Sequence, residues 1–208
     1  MIFNSNFTED YEIFTYETKP EISSFSIPYR EFSIGLFKID FNERVLYEFL
    51  INEDAVDCNI FTRYPDNEII ADIRKKLLTN YQKYCTLTGN MKEKVFIHSW
   101  YDVTRKGEQI KKHPHDIGTY SFLSANIYVR GYDPNSETRY HISSRDEYLN
   151  IIDNVGDLTI FPSWVTHDTN VYLGEQPKIN IGIQIYPMRF YEYFRENNHN
   201  WIEHVYTS

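Results

Sequence analysis

The side chains of this chain best suited to chemistry are His113 and His115, two residues apart, and the more distant His167. A strand points alternate side chains to opposite faces, so a His-x-His on a strand sets both imidazoles on one face. Two imidazoles on one face can share a metal ion, and a third ligand then has to arrive from elsewhere in the fold. His167 is the candidate. It follows the run Gly156-Asp157-Leu158-Thr159-Ile160-Phe161-Pro162-Ser163, far enough beyond His115 for several strands to circle a barrel and return. Imidazole suits iron, copper, nickel or zinc, whereas calcium and magnesium prefer oxygen. Three protein ligands leave coordination positions open, which distinguishes a catalytic site from a closed structural one. Asp116 follows directly on His115. It is expected behind an imidazole, orienting it through a hydrogen bond, with direct ligation as the alternative. His98, His141, His199 and His204 have no partner at ligand spacing.

The elements that must hold these side chains are read from periodicity. Ile69, Ile73, Leu77, Tyr81 and Tyr84 recur every three to four residues. This predicts a helix over 66–86, with Asp66 as N-cap and the apolar stripe laid on a sheet. Short β-branched and aromatic runs bounded by Gly, Pro, Asn or Asp predict strands over 95–103, 120–129, 139–143, 158–161, 170–173 and 179–186. The first sixty residues read as extended, 144–155 as a helical turn or connector, and 188–205 as a helix packed back on the core. At the last strand, Lys178, Asn180, Gly182 and Gln184 alternate with Ile179, Ile181, Ile183 and Ile185. One face should therefore be polar and turned into a barrel, the other apolar and turned to a supporting layer. Asn126 and Tyr128 share a face by the same alternation. No repeat, low-complexity tract or linker interrupts the chain. The expectation is one domain over 1–208: strands and a buttressing helix in 1–93, a jelly-roll core in 94–187, and a C-terminal helix in 188–208. Its fold class is an all-β core with flanking helices.

Composition narrows the function classes. Hydrophobic residues at 41% and charged residues at 25% are ordinary for a globular chain, and 18 Tyr with 14 Phe favour pleated sheet. A formal net charge of −9 denies the broad positive field that non-specific nucleic-acid binding needs. The one basic cluster, Arg105-Lys106 with Lys111-Lys112, is too short to reverse it. Cys58 and Cys85 form no CxxC pair and no zinc spacing, which points to a reducing compartment. The acidic N-terminus does not read as a signal peptide, and no apolar run approaches the roughly 18–20 residues of a membrane span. A soluble cytoplasmic protein is expected, in host cytoplasm if its source is viral, with no membrane partner and with a homodimer left open.

Residues 107–115 and 156–167 resemble the two halves of the cupin metal signature. The second half is closer still to the iron and 2-oxoglutarate dependent oxygenases, which share the double-stranded β-helix. Among these, the chain is similar to a small group common in marine phages. Trp100, Lys106-Gly107, His113, His115, residues 124–128, Gly156-Asp157-Leu158, Phe161-Pro162-Ser163, His167 and Lys178 match its motifs in order. The likeness covers residues 99–184. Three positions depart from the pattern: Ala125 replaces a glycine, Lys178 stands where Arg is usual, and His115 takes the carboxylate's place in the common His-x-Asp triad.

The resemblance implies a cupin-like double-stranded β-helix with Fe(II) on His113, His115 and His167. It also implies 2-oxoglutarate as cosubstrate, its far carboxylate on Lys178 and further hydrogen bonds from Tyr128 and Asn126, in an enzyme that hydroxylates a substrate the sequence does not name. Two other readings stay open. One is a three-histidine cupin dioxygenase or isomerase without 2-oxoglutarate, which has no need of a buried cation at Lys178. The other is a non-enzymatic, metal-stabilised binding or virion-associated module, which would close side chains over the metal.

Overall fold

The computed structural model describes residues 2–8, 10–18, 30–52, 59–90, 92–115, 121–131, 133, 135–142, 147–196 and 205–206. The chain opens with strands β1 (Ile2–Thr8), β2 (Tyr11–Thr18) and β3 (Arg30–Lys38). Helices α1 (Glu43–Asn52), α2 (Ile60–Arg63) and α3 (Glu68–Thr88) follow. Then come β4 (Val95–Thr104), β5 (Leu123–Arg130), β6 (Glu137–His141), β7 (Tyr148–Ile152), β8 (Asp157–Pro162), β9 (His167–Thr169) and β10 (Lys178–Pro187). A 3-10 turn at Met188–Phe190, helix α4 (Tyr191–Glu196) and β11 (Val205–Tyr206) complete the described chain.

The strands form a large sheet, ordered β1-β2-β3-β8-β5-β10-β4-β11, and a small one, β7-β6-β9. From β4 onward the chain passes back and forth between them: β5, β8 and β10 join the large sheet, and β6, β7 and β9 the small one. Residues 108–113 run beside β9 and its extension as an irregular fourth strand of the small sheet. Thr169 N donates to Ile110 O at 3.1 Å, and Tyr172 N to Glu108 O at 2.9 Å. This winding of one chain through two facing antiparallel sheets is a double-stranded β-helix, the all-β class expected.

β10 lies between β5 and β4 and is buried along its whole length. Ile179, Ile181, Ile183 and Ile185 pack in one cluster with Leu46 and Leu50 of α1, Phe61 of α2, and Ile70, Ile73 and Leu77 of α3. Fully burying one such side chain is worth about 1.5–3 kcal/mol. A slip of one residue would turn every isoleucine the wrong way, so the stripe fixes the register of β10. It thereby fixes which side chains face the small sheet: Lys178, Asn180, Gly182 and Gln184.

Several local expectations are corrected. The N-cap of α3 is Asn67 rather than Asp66, its side chain accepting from the amides of Ile69 and Ile70. The N-terminal region carries α1 and α2 besides its strands, because Leu46 and Leu50, four residues apart, reach the core on one helical face. The segment over 144–155 contains a strand, β7, paired with β6 at the edge of the small sheet. The strand placed over 170–173 lies at His167–Thr169 instead. The helix placed over 188–208 is confined to the turn and α4, where Phe194 packs with Phe96 and Tyr186. Val205 pairs as a strand with Phe96 of β4, and residues 197–204 lie outside the described residues. Among the described residues no helix is long and apolar enough to cross a membrane.

Ile183→Ala tests the role of the stripe. Urea unfolding is expected to register a loss of about 2–5 kcal/mol with the native fold retained. A loss below about 1 kcal/mol would mean that the stripe does not hold the sheet to its helices.

Candidate metal centre

His113 and His167 face each other across the small sheet as an antiparallel pair. Each donates its backbone N–H to the other's carbonyl at 3.0 Å. His115, two residues on, donates its N–H to Ser163 O at 2.8 Å. Its carbonyl accepts from Gln184 Nε2 at 3.1 Å and from Ser121 Oγ at 3.2 Å. The two distant stretches of sequence are thus joined by main-chain bonds, and the imidazoles follow. Their ring centres lie 4.5 Å (His113 to His167), 4.8 Å (His113 to His115) and 4.9 Å (His115 to His167) apart.

The surrounding motif residues position this pair. Gly156 turns the chain into β8 at φ +83°, and a Cβ there would stand 2.5 Å from the carbonyl oxygen of Ile39, so the turn requires glycine. Asp157 is buried and paired with Lys38, tying β8 to β3. Burial pushes its carboxyl up while Lys38 pulls the other way. The Phe161 ring packs edge-on against His167 at 5.0 Å, and Ser163 Oγ meets Ser124 Oγ at 2.9 Å.

The donor set fits a divalent metal. One ligand atom from each histidine lies within 4.8 Å of the other two. With nitrogen–metal bonds of about 2.0–2.1 Å, three nitrogens around one ion stand about 2.9–3.6 Å apart, so imidazole movements of up to about 2 Å complete the set. His113 Nδ1 lies 2.7 Å from Lys111 O, and His167 Nδ1 lies 3.3 Å from Val165 O. A carbonyl can only accept, so Nδ1 carries the proton in each, and Nε2 keeps its lone pair for a ligand. Burial pushes His115 down to about 4, helped by the charge of His113. His167, only 4% exposed, is held well below its ordinary value by burial and then by its two neighbours. Both are neutral near pH 7. Neutral nitrogen donors with open space beside them suit the borderline divalent ions of the first transition row. That space is a cavity of about 120 Å³ between the sheets, lined also by Trp100, Asp102, Asn126, Thr138 and Asn180.

The other expected residues divide. Lys178 is 2% exposed and points into the barrel, as alternation requires. It is not a solitary ammonium awaiting an external carboxylate, however. Asp153 from the β7–β8 connection pairs with it, and Lys178 Nζ also donates to Ser136 Oγ at 3.1 Å. The same carboxylate accepts from Thr138 Oγ1 and Ser136 Oγ, each at 2.9 Å. Tyr128 donates its hydroxyl to Thr138 Oγ1 at 2.9 Å, and burial raises its pKa strongly. Asn126 reaches the cavity, with Nδ2 donating to Tyr140 OH at 3.3 Å. Asp116 lies outside the described residues. Sequence reasoning missed Asp102, Thr138 and Asp153. Trp100 and Asp102 alternate on β4 and were accessible to the period-two argument. Asp153 sits in a connection and had no local signal.

No protein-family model matches the sequence, and no curated protein matches it. Solved structures do match in shape. A prolyl-4-hydroxylase from Pseudomonas putida superposes with a TM-score of 0.53 at 13% identity, over 70% of this chain and 81% of its own. HygX from Streptomyces hygroscopicus with nickel and 2-oxoglutarate bound gives 0.53 at 11%, over 73% and 81%. The same protein with iron bound gives 0.53 at 12%, over 74% and 82%. At such identities the likeness speaks for the fold alone. The winding of the two sheets and these neighbours together make the chain a double-stranded β-helix protein.

Proposed function

We propose that the protein is a non-haem Fe(II) oxygenase that uses 2-oxoglutarate and O₂ to hydroxylate a substrate. The observation that carries this reading is the convergence of His113, His115 and His167 beside an open cavity inside the barrel. Two things support it further: HygX, which shares the fold, has been solved with iron and with 2-oxoglutarate, and the motif order resembles the phage-type oxygenase group. Bound iron and cosubstrate would supply the oxidising chemistry, and the protein supplies geometry and a dry pocket. In this reading His113, His115 and His167 hold the metal. Asn126 and Thr138 offer hydrogen bonds along the cavity wall, and Trp100 packs against His115, their ring centres 5.4 Å apart. Lys178 offers positive charge to the far carboxylate of 2-oxoglutarate, sharing itself with Asp153, and Tyr128 braces that end of the barrel through Thr138. The chain is taken as one domain working in a reducing cytoplasm, in keeping with the free, buried thiol of Cys85.

One observation favours a second reading. Lys178 and Asp153 together are a neutral pair that does not line the cavity, so a dicarboxylate there is attracted less than it would be by a lone lysine facing it. That favours a three-histidine cupin dioxygenase or isomerase acting without 2-oxoglutarate. A metal-stabilised, non-enzymatic module is the least supported alternative, because it calls for side chains closed over the metal.

Metal content and cosubstrate binding test the proposal separately. His167→Ala is expected to lose most bound iron while keeping its circular dichroism, since the bonds to His113 are main-chain. Stoichiometric iron in that variant would falsify the ligand assignment. For the cosubstrate, Lys178→Ala alone is a poor probe, because an orphaned buried Asp153 costs about 3–5 kcal/mol. The double variant Lys178→Met/Asp153→Asn removes both charges. Anaerobic titration of the iron-loaded protein with 2-oxoglutarate should develop a metal-to-ligand charge-transfer band. The double variant is expected to weaken that binding at least tenfold, about 1.4 kcal/mol, with iron content unchanged. If the band never develops, or if the double variant titrates as the wild type does, the three-histidine cupin reading takes its place.

A further inference from the structure

We propose that Asp102 is the carboxylate of this metal centre, facing the bound ion directly or through one water and supplying the negative charge that the His-x-His pair lacks. The inference rests on the three-histidine reading above. A divalent ion on three neutral imidazoles would leave two positive charges uncompensated in a cavity between two sheets, and a buried charge is costly without a partner. Of the described residues lining that cavity, Asp102 carries the one carboxylate.

The other acidic side chains near the site, among the described residues, are committed elsewhere. Asp153 is paired with Lys178. Asp168 neighbours His167 in sequence, but alternation turns it to the outer face of the small sheet, where it accepts from Arg139 Nε at 2.6 Å and meets His141 Nε2 at 3.0 Å. Asp102 differs. No lysine or arginine among the described residues lies within ion-pair distance of it, and its bond is to the indole N–H of Trp100, at 3.2 Å. Burial pushes its carboxyl up, against the lowering effects of that N–H and of His113 and Lys178 nearby.

The orientation of Asp102 is built into the ladder. On β4, Trp100 and Asp102 stand opposite Gly182 and Asn180 of β10. A Cβ at Gly182 would lie 2.4 Å from Trp100 Cε2, so only glycine lets the indole lie across the strand. From there the indole N–H fixes one carboxylate oxygen and leaves the second for a ligand. Asn180, opposite Asp102, also lines the cavity, and its Oδ1 is buried without a partner. The second carboxylate oxygen of Asp102 and the unpartnered Oδ1 of Asn180 are thus two acceptors that this corner of the cavity offers a cation.

Anaerobic calorimetry with Co(II) tests the assignment, using wild type, Asp102→Asn and His167→Ala. Asparagine keeps the shape and can still accept from Trp100. Asp102→Asn is expected to bind one Co(II) at least tenfold more weakly, with an altered visible spectrum. Its metal-free form should melt no lower than wild type, because an unpaired half-buried carboxylate has been removed. Asp102→Ser serves as a second variant with the same expectation. Unchanged affinity and spectrum in both variants, while His167→Ala loses Co(II), would overturn the role of Asp102 and leave the three-histidine site standing. Wild-type protein that takes up no Co(II) would overturn both.

Discussion

The reciprocal hydrogen bonds between His113 and His167, each 3.0 Å long, make the candidate metal centre a property of the backbone. Each contributes only about 0.5–1.5 kcal/mol net, so they do not account for the stability of the fold. Their importance is geometric. Residues directly opposite in an antiparallel ladder hold their side chains at a fixed separation, and period two then carries His115 to the same face. The bond from His115 N to Ser163 O closes the third side. No imidazole has to be steered into place by packing alone. Phe161, Gly156 and Ser163 act by keeping β8 and the turn before β9 where this ladder needs them.

That ladder stands opposite β10, a strand with two faces of opposite character. Its isoleucines are sealed against the helices, and their burial turns Lys178, Asn180 and Gln184 toward the barrel. Charges on and around the barrel are then paired. Lys178 meets Asp153, Lys38 meets Asp157, and Arg139 meets Asp168. Only Lys178–Asp153 is buried on both sides, and removing one member of such a pair is far more harmful than removing both. Asp102 stands outside these pairs, in the same cavity as the imidazoles. In the proposed role it adds a negative charge beside the nitrogen donors, a role the paired carboxylates are not free to take.

How much of this was legible in the sequence depends on whether a residue's role is set locally. His113, His115 and His167 could be found because strand alternation and turn glycines are local signals. Helix α3 could be found because its stripe of Ile73, Leu77, Tyr81 and Tyr84 repeats over many residues. β7 could not: at the edge of the small sheet it leaves Tyr148 and Ile152 exposed, so its pattern mimics a connector. β9 starts at the ligand itself, so the apolar run after it misled the placement. The face of Lys178 was readable, but its partner was not. Asp153 reaches Lys178 only through tertiary folding, and nothing in a connecting segment announces such a contact.

The three imidazoles are expected to hold one metal ion at a single point. Crystals grown with Mn(II) or Fe(II) and measured above and below the metal absorption edge test it most directly. One anomalous peak, about 2.0–2.2 Å from a ring nitrogen of each of His113, His115 and His167, is the expected result. At saturating metal, a peak elsewhere, or none between the two sheets, would contradict it.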